Sequence, residues 1–155
     1  MSRQIRESRK LGQGGFTLIE LVTILVIIGI LAAFAVPQFT SMTMSSKIAA
    51  TKDEMNLLKK AIIGNPSAIS GGAYIDRGYE GDVGSLPTQL QDLVTKPASV
   101  QAYDKLTRIG WNGPYVDSSG NAYLKDAWGV NYVYDPANRL LRSTGGGPDS
   151  IRITF

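Results

Sequence analysis

The sequence predicts an α+β protein: a long N-terminal helix, membrane-spanning in its first half and amphipathic in its second, packed on a small antiparallel β-meander. Three observations carry this. Among the 21 residues from Phe16 to Val36, only Thr17, Glu20, Thr23 and Gly29 are not plainly apolar. Ile48, Met55, Leu58 and Ile62 then recur at spacings that fall on one face of a helix. Past Trp111, short β-rich runs alternate with turn residues.

Residues 1–15 are short, basic and poor in apolar side chains, unlike a secretory signal peptide. Residues 16–37 form the spanning segment. At ~1.5 Å per residue, the apolar run measures roughly 31 Å, the thickness of a bilayer's hydrocarbon core. Glu20 is the one acid inside it. A charge at the middle of such a helix costs on the order of 3 kcal/mol, less near the interface, so Glu20 calls for a partner. Lys and Arg ahead of the span orient it with the N-terminus cytoplasmic and the rest of the chain outside.

Residues 38–63 continue as the amphipathic half, with Lys47, Lys52, Asp53, Lys59 and Lys60 mostly off the apolar face. Gly29 and Pro37 are weak points, since Gly costs ~1 kcal/mol against Ala and Pro ~3 in a helix interior. Gly64-Asn65-Pro66 stops the helix. Residues 64–110 read as a variable region: a Gly-rich loop pinned by Tyr74, Ile75 and Tyr79, then a short helix over Thr88–Val94 entered through Pro87. Val100, Tyr103, Leu106 and Ile109, at three-residue steps, suggest another turn or two of helix.

Residues 111–155 are expected to form the sheet. Tyr115-Val116 and Ala122-Tyr123-Leu124 flank Asp117–Asn121 as a hairpin, followed by strands over Val130–Tyr134, Arg139–Ser143 and Ile151–Phe155. The aromatic residues Trp111, Tyr115, Tyr123, Trp128, Tyr132 and Tyr134 fit core and sheet packing better than a ligand platform. Asp126, ahead of Ala127-Trp128-Gly129, fits a turn that hydrogen-bonds its own backbone.

Composition narrows function further. The net charge of +3 comes from Arg3, Arg6, Arg9 and Lys10 against Glu7; beyond residue 15 there are twelve basic and twelve acidic side chains. A neutral remainder offers no surplus for phosphate binding, so no nucleic-acid partner is expected. There is no Cys and no His. Disulfide staples, Cys/His metal sites and His-dependent triads are therefore excluded, and only oxygen ligands remain. With no nucleophile elbow or phosphate loop, and with acids scattered among turns, the chain is not expected to be an enzyme.

A basic leader ending in Gly15, then Phe16, then Glu20 four positions on in an apolar helix, with Pro37 at its far end, closely resembles the type IV prepilin signature. Leu86-Pro87 with Leu90 and Leu93, then GWNGPYV (110–116) and DAWGVNYVYDP (126–136), are similar to the globular domain of the type II secretion major pseudopilins. That resemblance implies a pilin-like fold, cleavage by a prepilin peptidase between Gly15 and Phe16, and N-methylation of Phe16. The freed amine of Phe16 is cationic at neutral pH, and Glu20 of a neighbouring subunit would pair with it. An unpaired buried partner costs several kcal/mol, so the pair would fix one register.

The resemblance implies a subunit anchored in the inner membrane with its domain in the periplasm. Its partners would be further copies of itself in a helical homopolymer, minor pseudopilins, the peptidase and an inner-membrane assembly platform. The filament would be a pseudopilus for type II protein secretion; the alternative is a type IV pilus pilin or minor pilin serving adhesion, motility or DNA uptake. It also implies calcium, held here by Asp135, Ser143 and Asp149 around the Gly-rich loop 144–148, whose oxygen donors suit an ion that takes 6–8 of them.

Overall fold

The computed structural model describes residues 15–147 and 151–155. The leader residues 1–14 and Asp149 lie outside the described residues. Two compact units divide the chain, Met1–Ser41 and Met42–Phe155.

In the first unit the apolar run is helical from Leu18, the start of α1 (Leu18–Ile63). Its large apolar side chains are all exposed within the protomer, Phe16 and Leu18 at 82% and Phe34 at 74%. A helix apolar on every side and covered by nothing of its own chain is long and apolar enough to cross a membrane. The helix runs through Pro37, which has no N–H to give to the preceding turn. Thr40 Oγ1 donates to the Val36 carbonyl at 3.1 Å and Ser41 Oγ to that of Gln38 at 2.9 Å, extra bonds beside the proline.

In the second unit the amphipathic half of α1 buries Thr51, Met55, Leu58, Ala61 and Ile62. Met55, Leu58 and Ile62 are the residues that the spacing selected, each fully buried side chain worth ~1.5–3 kcal/mol. Ile48, at the edge of the stripe, is half-buried. They share one core with Tyr79, Leu90, Leu93, Tyr123, Tyr132 and Leu141. The helix ends at Gly64, whose N–H reaches the Lys60 carbonyl at 2.7 Å. Gly64 (φ +84°) and Gly78 (φ +61°) pack backbone on backbone: a Cβ on Gly78 would lie 2.2 Å from the Gly64 nitrogen. Only glycine fits that crossing.

The Gly-rich stretch is more structured than expected. Ile69–Ser70 (β1) and Ala73–Tyr74 (β2) form a two-residue ladder, and Gly78–Val83 is a short helix, α2. Tyr79 pins it, being 2% exposed, whereas Ile75 is 64% exposed and pins nothing. The short helix expected over Thr88–Val94 is a 3-10 turn at Leu90–Leu93. Residues 98–110 hold no helix. Asp104 instead closes a tight loop, taking the N–H of Leu106 at 2.8 Å on its carboxylate, and leaves Leu106 93% exposed. Three-residue spacing was an accident of composition there.

The meander is three-stranded, in the order β3 (Val133–Asp135), β4 (Leu140–Ser143), β5 (Ile151–Thr154), all antiparallel. Two expected strands are absent. Tyr115-Val116 carries no ladder, and Ala122–Leu124 lies in a 3-10 segment, Ser119–Leu124, because Gly120 and Asn121 both take left-handed angles and coil the chain. Along the true strands alternation holds: Leu141 and Ser143 are buried while Arg142 is exposed, and Ile151 and Ile153 point inward between exposed Arg152 and Thr154.

Candidate functional site

The N-terminal end of α1 concentrates the residues expected to act in assembly. Thr17 immediately precedes the helix and Glu20 is its third residue, the spacing of a capping box. Glu20 Oε2 accepts the Thr17 N–H and the Thr17 hydroxyl, both at 2.8 Å, and the Glu20 N–H donates to Thr17 Oγ1 at 3.3 Å. Thr17 was not singled out from the sequence, although Thr-x-x-Glu ahead of an apolar run is itself a helix-start signal. The bonds use Oε2; among the described residues Oε1 has no hydrogen-bond partner. Gly15 precedes the helix, and a Cβ there would meet nothing within 4 Å.

Asp126 forms the second site. The turn at Asp126–Val130 is as expected: its carboxylate Oδ1 accepts the N–H of Trp128 at 3.0 Å and of Val130 at 2.9 Å. Its other oxygen does what the sequence did not disclose. Asp126 Oδ2 accepts the Ser143 hydroxyl at 2.6 Å and the Gly145 N–H at 3.1 Å, tying the end of β4 to the turn. Gly145 must be glycine, because a Cβ would stand 2.5 Å from Asp126 Oδ2 and 2.8 Å from Trp128 Cβ. The Ala127 N–H extends the knot to Thr51 Oγ1 on α1 at 3.2 Å. Burial pushes the Asp126 carboxyl up, but the bonds from Ser143, Val130, Trp128 and Gly145 outweigh it and hold it below its ordinary range.

Of the three residues implied as calcium ligands, the structure does not bring Asp135 and Ser143 together. Asp135 faces Leu140, three residues and about 10 Å along β4 from Ser143. Its carboxylate holds its own turn, accepting the Asn138 N–H at 3.1 Å and side-chain N–H at 2.8 Å. Ser143 is engaged with Asp126, and Asp149 lies outside the described residues. Among the described residues no three acids cluster as a metal cage. Asp135 and Ser143 therefore do not fit as co-ligands of one ion, whose ligands stand only 2.3–2.6 Å from it.

The remaining buried carboxylates serve the fold. Asp92 accepts from Thr88 and Gln89, and Asp82 from the Tyr115 hydroxyl at 3.2 Å. A cleft of about 670 Å³ lies where α1 meets α2, lined by Ile63, Pro66, Arg77 and Arg108 among others. The Arg77 guanidinium is spent on the carbonyls of Arg108 and Gly81. The aromatics pack as expected: Tyr115 stands edge-on to Tyr79 and to Trp111, and Tyr134 stacks on Phe155.

Residues 10–36 match the family described as the prokaryotic N-terminal methylation motif. The type II secretion system core protein G of Pseudomonas aeruginosa is 42% identical over 139 residues, covering 89% of this chain and 90% of its own. Core protein G of Xanthomonas campestris is 27% identical over 83% of this chain and 73% of its own. A fimbrial protein of Pseudomonas aeruginosa is 37% identical over 84 residues, so the chain spans about half the length of that relative, 53%. No solved structure gives a significant match.

The carboxylate knot makes a pH-dependent contribution of definite sign. Its folded-state value lies below the unfolded one, near 3.8, so the stabilisation is complete above that value and disappears as pH falls through the folded-state value. Asp126→Asn should cost about 2 kcal/mol at neutral pH, because buried donors lose a charged acceptor. Thermal melts of both forms at neutral and acid pH check this, and the difference between them should shrink on acidification.

Proposed function

The chain belongs to the family of the type II secretion system core protein G, and from that premise we propose that it is a structural subunit of a pseudopilus filament that drives type II protein secretion. Likeness over nine-tenths of both chains carries the reading, since the fimbrial likeness ends at about half. A surface pilus is accordingly the less favoured alternative. The subunit is inserted in the inner membrane through residues 16–37, with its N-terminus cytoplasmic and its domain in the periplasm. Prepilin peptidase cuts after Gly15 and methylates the amine of Phe16. No enzymatic activity is assigned to the subunit itself.

Polymerisation transfers the exposed apolar half of α1 from lipid to the flanks of its neighbours. Burial against neighbouring helices supplies little net hydrophobic gain, because lipid tails are as apolar as leucine, so packing and polar pairing must select the arrangement. Glu20, with Oε1 unengaged, meets the Phe16 amine of an adjacent subunit. Minor pseudopilins and an inner-membrane assembly platform complete the partners.

Glu20→Ala should leave membrane insertion intact while reducing filament yield at least tenfold, as read by electron microscopy of sheared or membrane fractions; normal filaments would refute the pairing. Gly15→Leu should block processing, leaving an unprocessed N-terminus in the mass spectrum of the purified protein. For calcium, a melting temperature that rises with the ion and falls with chelator would support a site built on Asp149 and loop carbonyls.

A further inference from the structure

Asparagine is a chemically labile residue, and it loses its side-chain amide when the next backbone nitrogen attacks its Cγ. That attack needs a nitrogen free of other bonds and a following residue that leaves room. The chain has six asparagines, all among the described residues. Five are protected. Asn56 lies in α1, where the Leu57 N–H is held in the helix ladder. Asn65 precedes Pro66, whose nitrogen carries no hydrogen. The Tyr132 N–H after Asn131 is bonded to the Leu124 carbonyl at 2.9 Å, and the Arg139 N–H after Asn138 to that of Pro136 at 3.2 Å. Asn121 is followed by Ala122, whose Cβ crowds the approach inside the 3-10 segment.

Asn112 differs from all of these. It is exposed, and among the described residues neither its carboxamide nor the N–H of Gly113 makes a hydrogen bond. Gly113 carries no side chain to screen its nitrogen. Packing forbids giving it one, since a Cβ there would stand 2.6 Å from Trp111 Cζ2 and 2.9 Å from Tyr115 Cδ2. The two rings thus keep behind Asn112 the one residue that leaves its amide most open to attack.

We propose that Asn112-Gly113 is a site of spontaneous deamidation, converting residue 112 to aspartate and isoaspartate. The Gly113 nitrogen bonds to Asn112 Cγ, the Cγ–Nδ2 bond breaks, and the departing nitrogen takes up the Gly113 proton and leaves as ammonia. Solvent water then opens the cyclic imide. Breaking the new N–Cγ bond gives aspartate on an ordinary backbone. Breaking the bond from the same nitrogen to the backbone carbonyl carbon gives isoaspartate, whose main chain runs through Cβ and Cγ and is longer by one carbon.

The two products act differently on the fold. Trp111 is pinned through its N–H to the Gln101 carbonyl at 2.9 Å and through its indole to that of Asp92 at 2.8 Å. Tyr115 is pinned through its N–H to the Leu93 carbonyl at 2.8 Å. Its hydroxyl accepts the Asn112 N–H at 2.9 Å and donates to Asp82 Oδ2 at 3.2 Å. With both ends held, an added backbone carbon displaces Gly113 from between the rings and parts Asn112 from Tyr115. Isoaspartate therefore loosens this corner of the core, whereas aspartate adds only an exposed charge.

Full-length protein in detergent micelles, aged in warm, mildly alkaline buffer, should lose ammonia at residue 112. Tandem mass spectrometry of the tryptic peptide 109–125 reads this, with Asn121 as its internal control. Conversion at residue 112 should run at least tenfold faster than at Asn121, and a protein isoaspartate methyltransferase should label the aged peptide. Asn112→Gln should take no label at that position. The isoaspartate-bearing fraction should melt below the parent, and freshly made Asn112→Asp should melt with it. Equal conversion at Asn121, or a rate at residue 112 more than tenfold below that of the same protein in denaturant, would overturn the site. An isoaspartate fraction that melts with the parent would overturn the loosening of the core.

Discussion

A single carboxylate ties the end of β4 to the turn that leans on α1. Asp126 gathers two N–H groups of its own turn, the Ser143 hydroxyl and the Gly145 N–H, and through the neighbouring Ala127 N–H the knot reaches Thr51 on the helix. The sheet has only three short strands, and no disulfide closes them. Small domains without such links need another staple. Here four hydrogen bonds to one buried charge provide it, each stronger than a neutral bond because its acceptor is ionised.

Other charges repeat the device at lower cost. Arg139 lies at the start of the β4 turn, grips Glu80 of α2 with two parallel bonds of 3.0 and 2.8 Å, and also reaches the Phe155 carbonyl at 2.5 Å. Asp92 ties the 3-10 turn to the residues before it, while the Trp111 indole donates to the Asp92 carbonyl at 2.8 Å. Polar links thus bridge what the apolar core, drawn from one helical stripe, three leucines and a few aromatics, does not reach. Holding these groups at buried and part-buried positions is tolerable because each finds its donors or acceptors inside the chain.

The sequence disclosed most where a single period governs the structure. The apolar run, the stripe of Met55, Leu58 and Ile62, and the alternation along β5 all appear where expected. It disclosed less where conformation hangs on one residue. Asn121 beside Gly120 turns an expected strand into a 3-10 coil, and nothing in Ala122-Tyr123-Leu124 signals it. The Asp126 turn was legible because Asx turns are local; its link to Ser143 and Gly145 was not, because it joins positions 17 and 19 residues apart. Glu20 stood out as a lone acid, whereas its bond to Thr17 follows from helix-start chemistry that the surrounding apolar residues overshadow.

That clasp between Thr17 and Glu20 changes the meaning of a subunit waiting in the bilayer. Its carboxylate is not naked: one oxygen already has a hydroxyl and an amide for company. On the proposed pairing, an arriving neighbour competes with an internal companion, and recruitment becomes an exchange of contacts more than a capture. Exchanges of this kind release little net free energy per event.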